Sequence, residues 1–264
     1  MSLETLELTT ERGVRTIWLN RPDKRNAMNG TMIAELNASI GEAIADDQVR
    51  VIVLAGRGKA FCAGGDLEWM KTARSMSTEE AIADSAELAR VMQQLYDSPK
   101  PTVVRAHGSA FAGAMGLVCA ADVALASAGT RFCLSEVKLG LIPAMISPYV
   151  IKAIGERQAR RLMLTAEVFD ADFAENIGLI NACLPVEELE SATDHIIEHL
   201  LAAGPNAIGA CKELIRAVAG QPIGPALVAD TATRIAASRA GDEAQEGITA
   251  FFEKRSPSWV TPSA

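Results

Sequence analysis

Apolar positions along the first two thirds of the chain switch between two spacings. Residues 3–20 read as two short strands around Glu11-Arg12-Gly13, because the second, VRTIWLN, is rich in β-branched and aromatic side chains. After the polar stretch RPDKRNAMN, the segment from Thr31 to Ala45 sets Ile33, Leu36, Ile40 and Ile44 three and four residues apart. That spacing makes one apolar helical face. VRVIVLAG, residues 49–56, reads as a buried strand. The pattern then recurs as a glycine-containing loop, helices over residues 66–97, a strand at PTVVRAHG, a second glycine-rich loop, an apolar helix ending near Asp122 and a strand at VALAS. A helix over Ile146–Leu164 follows, then a short one over Asp170–Ile177 that Gly178 can cap. From about Val186 the pattern is helical alone, in EELESATDHIIEHLLAA, NAIGACKELIRAVA and the stretch from Ile223 to Arg255. Strands alternating with helices imply an α/β fold with short crossover units. The predicted division is an α/β core over residues 1–185 and a helical region over 186–264 suited to assembly.

The bulk composition narrows the classes of function. A chain of 264 residues that is 49% hydrophobic can bury a substantial core. Its formal charge of −8 argues against a nucleic-acid partner, since phosphate-backbone affinity rests on clustered Lys and Arg. The most apolar stretch, Ala110 to Ala121, is stopped by Asp122 before it reaches membrane-spanning length, so no membrane partner is expected. MSLETLELTTERG has no basic start followed by an apolar core, so no secretory signal is read there. The five cysteines, Cys62, Cys119, Cys133, Cys183 and Cys211, are odd in number and widely spaced, unlike a disulfide framework or a zinc cluster. A reduced, cytoplasmic setting and no bound metal are the expectation.

Three segments carry candidate chemistry. In FCAGGDLEWMK, residues 61–71, Gly64 and Gly65 stand between an apparent strand and an apparent helix, where missing Cβ atoms let a ligand approach the backbone. AHGSAFAGAMGLVCAAD, residues 106–122, repeats that design, with an apolar helix starting near Gly113. Amides from two such loops, converging on one oxygen, would stabilise charge that develops only in a transition state. In RFCLSEVKLGLIPAMISPYV, residues 131–150, Glu136 lies among apolar residues, and burial makes a carboxylate a proton shuttle near neutral pH. The alternative for Glu136 is a structural ion pair with Lys138 or Arg131. His107, at a strand end before a glycine, reads as a structural hydrogen-bonding group. Trp69 and Met70 read equally as a pocket wall or as core.

Taken in order, NRPDKRNAMN, FCAGGDL, HGSAFAGAMGL, SEVKLGLIPA, AIGERQARRLMLTAE with GLIN, and EGITAFFEKRSPSW resemble the enoyl-CoA hydratase/isomerase, or crotonase, superfamily over essentially the whole chain. The resemblance implies a spiral of ββα units followed by helices that build homotrimers, commonly paired into hexamers. It implies an acyl-CoA substrate, the coenzyme A thioester being substrate and no separate cofactor being required. It places the oxyanion-hole amides at Gly65 and Gly113 and the second catalytic glutamate at Glu136. Substrate contacts fall at Ala63, Asp66, Gly116 and Ala144, and at Lys24, Arg25 and a neighbouring subunit's Lys254, the cations facing the coenzyme A phosphates.

One departure bears on the reaction. Aligned on Asp122, the position of the first catalytic glutamate of typical hydratases is Gly116 in this chain. SEVKLGLIPAMISPYVIKAIGERQARR is similar to bacterial methylglutaconyl-CoA and isohexenylglutaconyl-CoA hydratases, whose substrates carry a second carboxylate. The expectation is a lyase acting on a branched, carboxylated 2-enoyl-CoA such as 3-methylglutaconyl-CoA, as in leucine or acyclic terpenoid breakdown. In this reading the substrate's own carboxylate lies near Gly116 and places the water, with backbone near Ala144 helping. The alternatives are an isomerase with a single glutamate, a thioesterase or decarboxylase on the same scaffold, and a catalytically silent acyl-CoA-binding protein.

Overall fold

The computed structural model describes residues 3–72 and 75–260. Strands β1 (Leu6–Glu11) and β2 (Val14–Leu19) form an antiparallel hairpin paired from Leu6 opposite Leu19 to Glu11 opposite Val14. Its two-residue turn, Arg12-Gly13, has φ of 49° and 81°, the left-handed pair that matches the twist of the strands. β2 then pairs in parallel with β3 (Val51–Gly56), and β4 (Thr102–Ala106), β6 (Val123–Ser127) and β9 (Ala182–Leu184) extend the sheet in the order β1-β2-β3-β4-β6-β9. All six residues of β3 are buried, as expected of a parallel strand covered on both faces.

One face is covered by α1 (Gly30–Ala45), α3 (Thr78–Asp97) and the apolar α4 (Gly113–Ala120). The expected face of α1 is the buried one, with Ile33, Leu36 and Ile40 at 2% exposure or less. Asn29 caps it by accepting from the Met32 amide at 3.0 Å, a contact worth about 1 kcal/mol. The other face is closed by α7 (Leu189–Ala202), whose Ile197 packs with Val51, Val53 and Val103. The expected boundary at residue 186 therefore marks a change of sequence pattern, while packing carries the α/β body one helix further.

Several expectations are refined. The helices expected over 66–97 are α2 (Leu67–Thr72) and α3, the second started by a capping box between Ser77 and Glu80; residues 73 and 74 lie outside the described residues. The expected Ile146–Leu164 helix is α5 (Ser147–Thr165), kinked at Gly155 with φ 73° and ψ 160°. A second sheet of three short strands was not expected: β5 (Ser109–Phe111), β7 (Arg131–Cys133) and β8 (Phe169–Asp170), with β5 parallel to β7 and β7 antiparallel to β8. α6 (Ala171–Asn176) follows, and the C-terminal run is α8 (Pro205–Val218), α9 (Pro225–Ala240) and α10 (Asp242–Glu253), the last two parted at Gly241.

Candidate active site

The small sheet explains how three distant segments meet. Residues 61–63 run beside β5, with the Cys62 amide donating to Ser109 O at 2.9 Å and the Phe111 amide to Cys62 O at 3.2 Å. β5 runs beside β7, and the Ala112 amide donates to Cys133 O at 2.8 Å. Three parallel runs therefore end side by side. The first delivers Gly64-Gly65, the second Ala112-Gly113 at the start of α4, and the third Ser135-Glu136.

The first loop is fixed by the polar stretch that precedes α1. Ala63 donates to Arg25 O at 3.0 Å, Met28 to Gly64 O at 2.8 Å, and Asp66 to Met28 O at 2.7 Å. In parallel pairing Met28 uses the groups on either side of Gly65, so the N–H of Gly65 faces away from Met28. Buried Asn26 holds the base of this loop, accepting from the Arg21 amide and donating to the Arg57 and Ala60 carbonyls. The second loop is held by shape. A Cβ on Gly64, which has φ of 99°, would lie 3.1 Å from Phe111 O and 3.3 Å from Ala112 Cβ, so the two loops touch. Ala112 itself is at φ 49°, ψ −122°, a strained conformation costing about 1–3 kcal/mol, and it opens α4 with Gly113 as the first helical residue. The Gly113 amide has no acceptor within its helix and sits at the positive end of the helix dipole.

These loops and the Glu136 turn border a cleft of about 440 Å³ lined in part by Lys24, Ala63, Gly65, Asp66, Ala112 and Glu136. Three carboxylates line it, and their surroundings separate them. Asp66 is bound to Arg21 at 2.8 Å and accepts from the Glu68 amide, contacts that hold its carboxyl below the usual range. Exposed Glu68 pairs with Lys71 at 2.8 Å. Glu136 has no cation partner among the described residues, its Oε2 is buried without a hydrogen bond, and burial pushes its pKa up. The structural alternative for Glu136 therefore fails, since Lys138 donates instead to Ala166 O at 2.5 Å. Glu136 opens the 3₁₀ turn Glu136–Leu139, which Gly140 closes at φ 72° by donating to the Glu136 and Val137 carbonyls.

Other expected contacts are revised. Gly116 does not border the cleft: a Cβ there would lie 2.3 Å from Ile146 Cγ2 and 3.0 Å from Met92 Cε, so the volume expected to receive a substrate carboxylate is already filled. The Ala144 amide donates to Ile142 O at 2.9 Å and is spent within its own turn. The Asp66 carboxylate is engaged by Arg21, which makes it a brace of the loop rather than a free ligand. Arg25 is exposed and serves the site through its carbonyl, while Lys254 caps the end of α10, away from this chain's own cleft. His107 bonds the Gly58 carbonyl at 2.9 Å, a structural contact. Met70 reaches the cleft wall, whereas Trp69 packs against the core.

Sequence reasoning missed the apolar rim. Leu67, Leu139 and Leu141 line the cleft yet are 64%, 58% and 46% exposed, a feature suited to an apolar acyl group. The signal was present in LGLI, where large apolar residues follow Glu136 without helical or strand periodicity. Burial pushes the Cys62 and Cys119 thiols up to about 12, which removes them as nucleophiles near neutral pH, and all five cysteines are free. No helix of the described residues is long and apolar enough to cross a membrane.

Comparisons with known proteins bear on the family and the fold. The model of the enoyl-CoA hydratase/isomerase family matches residues 9–262. An enoyl-CoA hydratase from Shewanella pealeana superposes with a TM-score of 0.94 at 43% identity, over 97% of this chain and 96% of that one. AtuE of Pseudomonas aeruginosa gives a TM-score of 0.92 at 39% identity, over 98% and 100%. A trans-2-decenoyl-acyl-carrier-protein isomerase of Streptococcus mutans is 30% identical over 264 residues, covering 98% of this chain and 99% of that protein.

Proposed function

Because the chain belongs to the enoyl-CoA hydratase/isomerase family, we propose that it hydrates a branched 2-enoyl-CoA, with 3-methylglutaconyl-CoA the leading candidate, using Glu136 as its only acid–base group. The observation that carries this reading is the single unpaired carboxylate of the cleft, Glu136, beside two amide-presenting loops. The amides of Gly65 and Gly113 receive the thioester oxygen as negative charge builds on it, each such donor being worth about 3–4 kcal/mol. Glu136 takes a proton from water as the hydroxyl adds to C3, and the same carboxyl returns that proton to C2. One water is consumed and the carboxylate is regenerated. The raised pKa suits both halves, because a group that binds a proton more readily than an ordinary carboxylate is a better base and remains able to give the proton back.

With Gly116 walled off by Ile146, the substrate carboxylate has no place there. Support for a carboxylated substrate rests on the likeness of the SEVKLGLIPAMISPYV segment to methylglutaconyl-CoA hydratases. The lone carboxylate also favours a second reading, double-bond migration, in which Glu136 removes a proton from one carbon of the enoyl thioester and returns it two carbons away. Mass analysis separates the two: incubation with 3-methylglutaconyl-CoA gives a product heavier by one water for the hydratase, whereas a 3-enoyl-CoA converted to an isomer of equal mass, with no hydrated product from either substrate, identifies the isomerase. Turnover of neither, with binding retained, identifies a silent acyl-CoA-binding protein.

The assembly belongs to the same proposal. Ile215, Ile223, Val228, Ile235, Phe251 and Phe252 on and between the C-terminal helices are 51–92% exposed, apolar side chains of the kind that subunit contacts cover. A homotrimer or hexamer covers it and brings Lys254 of one subunit toward the coenzyme A phosphates in the cleft of the next.

A further inference from the structure

Helix α7 carries two of the three histidines of the chain, His195 and His199, one helical turn apart. Its inner side is fixed against the sheet through Thr193 and Ile197, at 1% and 9% exposure. His195 and His199 stand two residues on either side of Ile197 and are both exposed. Their rings meet edge to face with centroids 4.6 Å apart, and their Nε2 atoms are 3.2 Å apart. Among the described residues, each ring has only the other as a hydrogen-bond partner.

That spacing matches chelation. Two imidazole nitrogens at the usual 2.0–2.1 Å from one ion, held 3.2 Å apart, subtend about 100° at it, between the octahedral and tetrahedral angles. His199 lies in the last turn of α7, where the helix dipole favours a cation, and Asp194 and Glu198 flank the pair on the same helix. We propose that His195 and His199 form a bidentate surface site for a borderline divalent ion, Zn²⁺, Cu²⁺ or Ni²⁺, with water completing the coordination. Two nitrogens select these ions over Mg²⁺ and Ca²⁺, which favour oxygen. Neither histidine borders the Glu136 cleft, so the site stands independently of the proposed catalysis.

The test is calorimetric titration of Zn²⁺ into the full-length, metal-free protein. One ion per chain is expected to bind, and His195→Gln and His199→Gln, both at exposed positions, each weaken binding at least tenfold. Cys211→Ser removes the exposed thiol that competes as a ligand and is expected to leave the affinity unchanged. Wild-type affinity in both histidine variants, loss of binding in Cys211→Ser, or no saturable binding by the wild type would each overturn the proposal.

Discussion

The loops that end in Gly65 and Gly113 and the turn that carries Glu136 meet at one cleft, yet they are built on opposite terms. The loops are over-determined: Ala63, Met28 and Asp66 zip the first to the segment before α1, Arg21 locks it through Asp66, and the second presses on Gly64 from the other side. The Glu136 turn has its backbone capped by Gly140, but its side chain is left with a buried, unpartnered oxygen. Amide donors stabilise developing charge only if they do not have to reorganise. A proton-transfer group must instead pass between charged and neutral forms, which a strong permanent partner would prevent. The contrast with Asp66, a carboxylate in the same cleft held ionised by Arg21, shows that partners rather than residue type assign the role.

The largest expected effect breaks the comparison on the carboxylate side. Glu136→Gln keeps shape and hydrogen-bonding capacity but not the proton, so turnover falls at least about a hundredfold while acyl-CoA affinity stays near wild type. Steady-state kinetics paired with calorimetric binding would check this. Next comes the loop side. Gly64→Ala meets both a positive φ of 99° and a contact of 3.1 Å to Phe111 O, so it displaces the Gly65 amide and lowers kcat about tenfold with Glu136 intact. Unchanged kcat in that variant would show that the loops need not be rigid.

A smaller effect concerns the position that separates the two regions from the rest of α4. Gly116→Ala is expected to cost about 1–3 kcal/mol in chemical denaturation, since its Cβ would overlap Ile146, and the loss in the double variant with Ile146→Ala is expected to be smaller than the sum of the two single losses. Additive losses in the double variant would refute the packing account. Gly116→Glu alone should not fold stably, so the second carboxylate cannot be regained by one substitution.

The smallest effect is a shift with pH. Because burial raises the Glu136 pKa in the folded state, its contribution to stability is fully present below the unfolded value and is lost as pH rises through the folded one. Glu136→Gln is therefore expected to melt slightly above the wild type at neutral pH, with the gap closing on acidification toward the ordinary carboxylate range. Melting curves across that range decide it, and a lower melting temperature at neutral pH would mean that the carboxylate is stabilising.

Local patterns in the sequence revealed what depends on neighbours along the chain. The face of α1, the fully buried β3, the Gly178 turn and the lone acid in SEVKLGLIP were legible because periodicity, burial and isolation are local. The second sheet was not, because strands of two and three residues carry no usable period and owe their existence to pairing across Cys133 and Phe111. Gly116 was misread for a related reason. A glycine looks like open space in a sequence, and only the fold reveals that Ile146, thirty residues later, occupies it. Asp66 and Ala144 were assigned to the substrate by position in a motif, whereas Arg21 and Ile142 already use their polar groups.

The central claim, that Glu136 moves the proton while the Gly65 and Gly113 amides hold the thioester enolate, is tested most directly by exchange at the carbon beside the thioester. A saturated acyl-CoA incubated with the enzyme in D₂O can form the enolate but can be neither hydrated nor isomerised, so the readout does not depend on which reaction is physiological. The account predicts deuterium incorporation at that carbon by the wild type and a loss of at least about a hundredfold in Glu136→Gln with binding retained. Equal exchange by the two proteins would contradict it.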